Sequence, residues 1–412
     1  MTYLKSLSLL ALITLTIFMS ATTTINTHTP IASRWNYNEH LFPIFRDNCG
    51  TCHKTDGIAP MSLVTYQDAY PWAQSIREEI LGLRMPPGQA EDGFGIFTMN
   101  HALNAEEMDM ILEWSSGGYP QGPRHLQPEA ILDTKTWSLG TPNLEFSIES
   151  PYTIDEATNE TVRFFVIPAS NNETLNISAV DVLPGAGPVV RDVTVYLDTT
   201  GTARELDADD LETGFAENEW VQESQPIAIW SPAVVTTLQS NASYLMPANA
   251  DIIVRIHYKK TWITEGESFS DQTRIGFYVS EASGPSIESL VVSSPPVTTN
   301  LSHTFSEQIE TSVNLLSVLA EIEIETKDIR VVATTPSGEE IPLLFLREPN
   351  TNWPTRYSFN EPIQLPSGSS ITVDTILHPG AQYEPRISLF AGTIDAPIRL
   401  MFDYAVSPQQ AN

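Results

Sequence analysis

The stretch Asn48-Cys49-Gly50-Thr51-Cys52-His53 contains both cysteines of the 412-residue chain, two residues apart, with a histidine directly after the second. This is the spacing that attaches a c-type haem. Two thiols three positions apart can each add to one vinyl group of a porphyrin, and the adjoining imidazole is then held beneath the iron. A structural disulfide or a redox dithiol would also use two cysteines. Neither has a use for His53, and no thioredoxin-like strand precedes the pair. The motif therefore predicts one covalent haem c, attached through Cys49 and Cys52, with His53 as an axial ligand.

A second axial ligand must come from elsewhere. In Arg84-Met85-Pro86-Pro87-Gly88 the two prolines force an extended loop, so that Met85 projects from a stiff backbone. Met85 is the expected sixth ligand, with Met99 and His101 as substitutes and core packing as its other use. Met61 lies too near His53 in sequence to reach the opposite face of a haem, and Met108 and Met110 have the spacing of a helical core. A His/Met pair raises the reduction potential relative to two histidines and leaves no open position for oxygen, which suits electron transfer.

The elements that position these groups read as helices. Leu41, Ile44 and Phe45 form a short apolar face delivering the chain to Cys49, despite Pro43 within it. A second helix opens on the capping pair Thr65 and Asp68, carries Ala69, Trp72, Ala73, Ile76, Ile80 and Leu83 inward, and stops near Gly82. A third opens at Asn104 with Glu107 three positions on and ends at Gly117-Gly118. Residues 35–122 are thus expected to form a small all-α domain.

Upstream, residues 1–21 have one early lysine, an apolar run from Leu7 to Met19 and the small residues Ser20 and Ala21, the pattern of a secretory signal. The run is short for a membrane span, and no second stretch of spanning length follows, so no stable membrane insertion is expected after cleavage. Export to the periplasm or beyond agrees with the place where haem is attached covalently. The 51 acidic against 21 basic residues give a formal charge of -30, which repels nucleic acid and anionic lipid. A basic redox partner would suit this surface, and solubility in a salty exterior is its blander use.

After Pro123 the helical stripes give way to alternating or β-branched runs, as in 161–167, 189–197, 251–258, 274–279 and 371–376. Such strands without intervening helices argue for β-sandwiches. The stretch Ser280 to Pro296, rich in Ser, Pro and Gly, divides the region into two sandwiches, 140–283 and 284–408.

In this order the segments become recognisable. Cys49 to Gly122, with Ile58-Ala59-Pro60, Tyr70-Pro71-Trp72-Ala73 and Arg84-Met85-Pro86-Pro87, resembles the cytochrome c domain at the front of certain bacterial secreted proteins. The following half is similar to the copper type II, ascorbate-dependent monooxygenases, the family of peptidylglycine alpha-hydroxylating monooxygenase. The matching stretches are Val182 to Tyr196, Ile252 to Tyr258, Gln272 to Gly276 and Leu315 to Arg330. The resemblance implies two tandem jelly-roll-like domains, each with one copper: the first held by a His-His pair and a later His, the second by His-x-His and a Met.

This chain departs from that pattern. Arg191-Asp192 stand where the His-His pair belongs, Glu321-Ile322-Glu323 replace His-x-His, and the late methionine is missing from Thr393 to Pro397, with Met401 displaced. Only His257 occupies a position at which the family places a ligand, and a histidine hydrogen-bonded within its sheet is the simpler reading. Bound copper is therefore not expected. Arg191 beside that position opposes a cation further. Glu321 and Glu323 read as a solvated strand face, with a hard cation such as calcium as the alternative.

The sequence holds no Gly-x-Ser-x-Gly elbow, Walker loop, Gly-x-Gly-x-x-Gly or His-Glu-x-x-His. The leading expectation is an exported monohaem electron carrier whose β half is a copper-depleted scaffold or docking module. The others are a copper-dependent monooxygenase fed by the haem, and a glycan- or protein-binding module with a haem domain.

Overall fold

A computed structural model describes residues 32–98, 102–129, 136–216, 225–232, 242–281, 284–296, 300–350, 352–383, 389–390 and 396–406. The signal segment, Met99 and His101 lie outside them. The described chain is rich in strands, with a few short helices near its start and one more, Thr202–Asp209, in the β region.

The helical part begins with Tyr37–Leu41, capped by the Asn36 side chain, and continues into Phe42–Asn48. Pro43 sits in the first turn of that helix, where proline is tolerated. The second expected helix is divided. Thr65 caps Tyr66–Ala69, a tighter turn follows over Tyr70–Trp72 at Pro71, and Ala73–Leu81 completes it. Proline at 71 lacks the N–H for a helical hydrogen bond, so the regular repeat does not run through it. Ala105–Ser116 carries the full Asn104/Glu107 capping box. These helices pack around Tyr37, Phe45, Ile111 and Trp114.

Residues 144–279 form two facing sheets and a separate two-stranded ribbon of Tyr152–Ile154 and Phe269–Asp271. One runs in the order Leu144–Ser147, Arg274–Val279, Leu175–Leu183, Tyr244–Met246. The other runs Phe215–Ala216, Glu160–Pro168, Asp251–Lys259, Val190–Asp198, Ala228–Trp230. Val180, Ile275 and Phe277 of the first meet Val193, Val254 and Ile256 of the second in one buried cluster, the packing of a sandwich.

Residues 287–406 repeat the arrangement with two four-stranded sheets. Their orders are Ile287–Ser293, Ile398–Val406, Val313–Ile322, Thr355–Leu365 and Ser302–Gln308, Ser370–Leu377, Thr326–Thr334, Glu340–Arg347. Leu315, Val318 and Phe402 pack against Val331, Leu344 and Val373 between them. Among the described residues no sheet is shared between the two halves. The stretch Ser280 to Pro296 is not simply a linker, because Ile287–Ser293 within it pairs along its length with Ile398–Val406. Its apolar Leu290-Val291-Val292 outweighs the flanking serines and prolines.

The two β halves are joined by an apolar cluster of Ile229, Leu319, Phe390 and Met401. A buried polar set reinforces it: Tyr244 donates to Asp403 at 3.1 Å, and Arg356 reaches the carbonyls of Ile227 and Pro226 at 3.3 and 3.2 Å. The helical part is also tied to the β region. After the Met85 loop, Glu91 N–H donates to the Phe345 carbonyl at 2.8 Å, Thr98 N–H to Ser358 at 2.9 Å, and Asn360 N–H to Ile96 at 2.7 Å. Phe97 stacks on Phe359 with centroids 5.4 Å apart. Residues 91–98 thus lie along the second β half, held by backbone hydrogen bonds.

Candidate functional site

Cys49 follows the last turn of the helix Phe42–Asn48, and helical hydrogen bonding continues past it: Cys49 N–H donates to Phe45 and His53 N–H to Cys49. The two cysteines and His53 therefore lie on one tight coil. Gly50 is required inside it, because a Cβ there would stand 2.7 Å from the Arg46 carbonyl oxygen and 3.3 Å from Val64. The return is fixed by Leu63 N–H donating to the His53 carbonyl at 2.9 Å, and by the Tyr37 hydroxyl donating to Leu63 at 2.7 Å.

Cys49, Cys52, His53 and Met85 all line one cavity of about 450 Å³, within the ordinary range of small-molecule sites. Its walls are mainly apolar, with Phe45, Ile76, Ile80, Ile111 and Trp72 among them. Both cysteines are free thiols. Burial pushes the Cys49 thiol up to about 12, with Cys52 and Glu107 adding to the rise, and burial also raises Cys52. A redox dithiol needs a thiol lowered towards neutrality; this pair is shifted the other way.

His53 Nδ1 lies 3.0 Å from the Met61 carbonyl oxygen. A carbonyl can only accept, so Nδ1 carries the proton and Nε2 keeps its lone pair, the arrangement by which a protein orients a ligating histidine. Burial lowers the imidazole pKa, which favours the neutral form that a metal requires. Met61 thus contributes its backbone to His53 and its half-buried side chain to the cavity wall. The residue set fits a haem c: two thiols, an oriented neutral imidazole, a thioether and an apolar enclosure. Cys49, Cys52, His53 and Met85 would hold it. Met61 and Met85 also pack against the helical core, as do Met108 and Met110, which do not line the cavity.

The β halves complete the cavity, which the sequence did not foreshadow. Arg191, Thr261, Asn350 and Trp353 close it. The Arg191 guanidinium lies over the Trp353 ring, 3.4 Å from its centroid, a cation–π stack. Arg191, Asn350 and Trp353 also line a second cavity of about 630 Å³ between the β halves, so they form part of the wall between the two spaces.

That second cavity gathers the positions at which the resemblance places copper ligands: Arg191, Asp192, His257, Glu321 and Glu323. Their chemistry is that of ion pairs. Asp192, almost fully buried, accepts from Arg255 Nη1 at 2.9 Å and from His257 Nδ1 at 2.8 Å. His257 Nε2 lies 2.9 Å from Glu160. Both imidazole nitrogens therefore face carboxylate oxygens, leaving no lone pair turned to a metal. Burial opposes the charge on Asp192, but the His257 hydrogen bond and the Arg255 and Arg191 charges hold its carboxyl below the usual value.

Glu321 and Glu323 do not form a solvated face. Glu323 is buried and Glu321 largely so, beside Arg399 at 3.2 and 2.9 Å, because the paired strand Ile398–Val406 places Arg399 opposite Glu321. An arginine between two carboxylates occupies the place a cation would take. Among the described residues no group of three or more His, Cys, Asp or Glu is placed to hold a metal ion. No described helix is long and apolar enough to cross a membrane.

No family model matches the chain, and no curated protein does. Among solved structures, empty particles of cowpea mosaic virus align over 66% of this chain and 92% of that chain, at 7% identity and a TM-score of 0.25. A recombinant N-glycanase F aligns over 64% and 96%, at 9% identity and 0.24. A tandem CBM22 module from Paenibacillus barcinonensis aligns over 65% and 100%, at 11% and 0.15. At such TM-scores these likenesses do not bear on what this chain does.

Proposed function

We propose that this chain is an exported monohaem c-type cytochrome that carries single electrons, its helical part a cytochrome c domain. The carrying observation is the convergence of Cys49, Cys52, His53 and Met85 on one apolar cavity, with His53 Nδ1 held by the Met61 carbonyl. When bound, the haem supplies a one-electron iron couple. The chain's residues do the rest. Cys49 and Cys52 would anchor it, His53 and Met85 would hold its iron, and the apolar walls would limit water. With both of those side chains engaged, no position would be left for oxygen.

In this reading the two β halves are a jelly-roll-like pair related to the copper type II monooxygenases, with the copper positions taken over by ion pairs. They serve as scaffold or docking module. The acidic surface orients a basic redox partner in the periplasm or outside the cell. The engagement of both His257 nitrogens and the placing of Arg399 between Glu321 and Glu323 support the loss of copper.

The test is to express the chain in a host with a haem-attachment system and record a pyridine haemochrome spectrum with elemental analysis. One covalent haem per chain and no stoichiometric copper are expected. Absence of covalent haem overturns the reading, and stoichiometric copper with substrate-dependent oxygen uptake replaces it with the monooxygenase.

A further inference from the structure

Among the described residues, Arg191 is the only lysine or arginine lining the cavity of Cys49, Cys52, His53 and Met85. It belongs to a β strand, not to the helical part. A guanidinium at an apolar cavity is costly unless an anion or strong acceptors receive its five N–H donors. Its nearest carboxylate neighbour in sequence, Asp192, is already committed to Arg255 and His257. Its protein acceptor is the Asn352 carbonyl, at 3.4 Å from both Nε and Nη2. Among the described residues no carboxylate lies within ion-pair distance of it, although the charges of Asp192 and Glu160 act on it.

Two features hold it in place. Stacking on Trp353 fixes the plane of the guanidinium, which leaves its edge to present N–H groups. The turn leading into its strand lies close to the segment just after the Cys49–His53 coil, where a Cβ on Gly187 would stand 3.1 Å from the Asp56 carbonyl oxygen. Glu79, an acidic residue of the wall, is offset by Arg84 at 2.8 Å.

We infer that Arg191 is the cation that receives a carboxylate of the covalently bound cofactor, so that the β half completes the haem site. The inference rests on the haem reading above. A haem brings two propionates, and a planar guanidinium matches a carboxylate with paired hydrogen bonds. Arg191 is then a cofactor-binding residue, which gives the β half a direct part in setting the redox chemistry.

The test uses the full-length holoprotein and its Arg191→Leu and Arg191→Lys variants. Three quantities are read: haem per chain, midpoint potential by spectroelectrochemistry, and the propionate bending band in resonance Raman. Haem content should stay at one per chain in all three proteins. In Arg191→Leu the midpoint potential should fall, since loss of a nearby positive charge disfavours the reduced iron, and the propionate band should shift. Arg191→Lys should restore most of the potential and only part of the band shift, because lysine keeps the charge without the fork. A potential and band in Arg191→Leu equal to wild type, at full haem loading, would overturn the inference and leave the haem reading standing. Wild-type protein without covalent haem would overturn both.

Discussion

Replacing Asp192 by alanine removes a carboxylate whose side chain is 3% exposed, paired at 2.9 Å with an arginine that is 8% exposed. The same change removes the Nδ1 partner of His257. Breaking one side of a buried pair costs about 3–5 kcal/mol, because the other charge stays in a medium that solvates it poorly. For a unit of 150–250 residues this lowers the melting midpoint by about 6–20 °C. Circular dichroism of the β-sheet signal would read it. In the double variant Asp192→Ala/Arg255→Met neither charge remains, and replacing a whole pair with apolar groups is often neutral, so most of the loss should be recovered. Copper(II) should leave the wild-type midpoint unchanged, whereas an ion at a hundred times its Kd would add about 2.7 kcal/mol. A loss below about 1 kcal/mol in Asp192→Ala, or a copper-induced rise that His257→Ala abolishes, would refute the ion-pair account of the cleft.

Other expectations concern the two cavities. Met85→His should retain covalent haem and lower the midpoint potential, because it replaces a His/Met pair by two histidines; an unchanged potential and spectrum would place the sixth ligand elsewhere. Phe97→Ala removes ring contacts with Tyr357 and Phe359, both at 5.4 Å, and should cost about 2 kcal/mol, below the about 3–5 of a fully buried ring, while loosening the Met85 loop enough to shift the haem spectrum. Acid should act on the cleft late. Asp192 is held below its usual 3.8 in the folded chain, so its contribution is complete above about 3.8 and is lost as the pH falls towards the lower folded value. Urea midpoints of wild type and Asp192→Asn should therefore differ by a constant amount above about pH 5 and converge in stronger acid.

Local devices were the most legible parts of this chain. The Asn104/Glu107 capping box, the Thr65 cap and the strands Glu160–Pro168 and Asp251–Lys259 rest on contacts between near neighbours or on β-branched runs, and they stand where the pattern places them. Pro71 was harder, since a stripe of apolar residues continues through it while its missing hydrogen bond tightens the turn. Least legible were the features made by pairing across long distances. Glu321 and Glu323 look like a polar strand face until Arg399, on a partner strand, is placed between them.

The same holds for the cavity of Cys49, Cys52, His53 and Met85. Cys49, Cys52 and His53 announce themselves by spacing, and Met85 by its prolines. Arg191 and Trp353, 162 positions apart, meet only through the packing of the two β halves, and nothing in either neighbourhood marks it. The staple of residues 91–98 onto the second β half is likewise invisible locally, because Phe94, Ile96 and Phe97 read as a short apolar loop.

The most direct measurement of the central claim is a pyridine haemochrome titration of the exported full-length protein, with the Cys49→Ala/Cys52→Ala variant as its control. The account predicts one covalently held haem per wild-type chain and none in the variant. A wild-type chain that folds, is exported through a competent haem-attachment system and carries no covalent haem would contradict it.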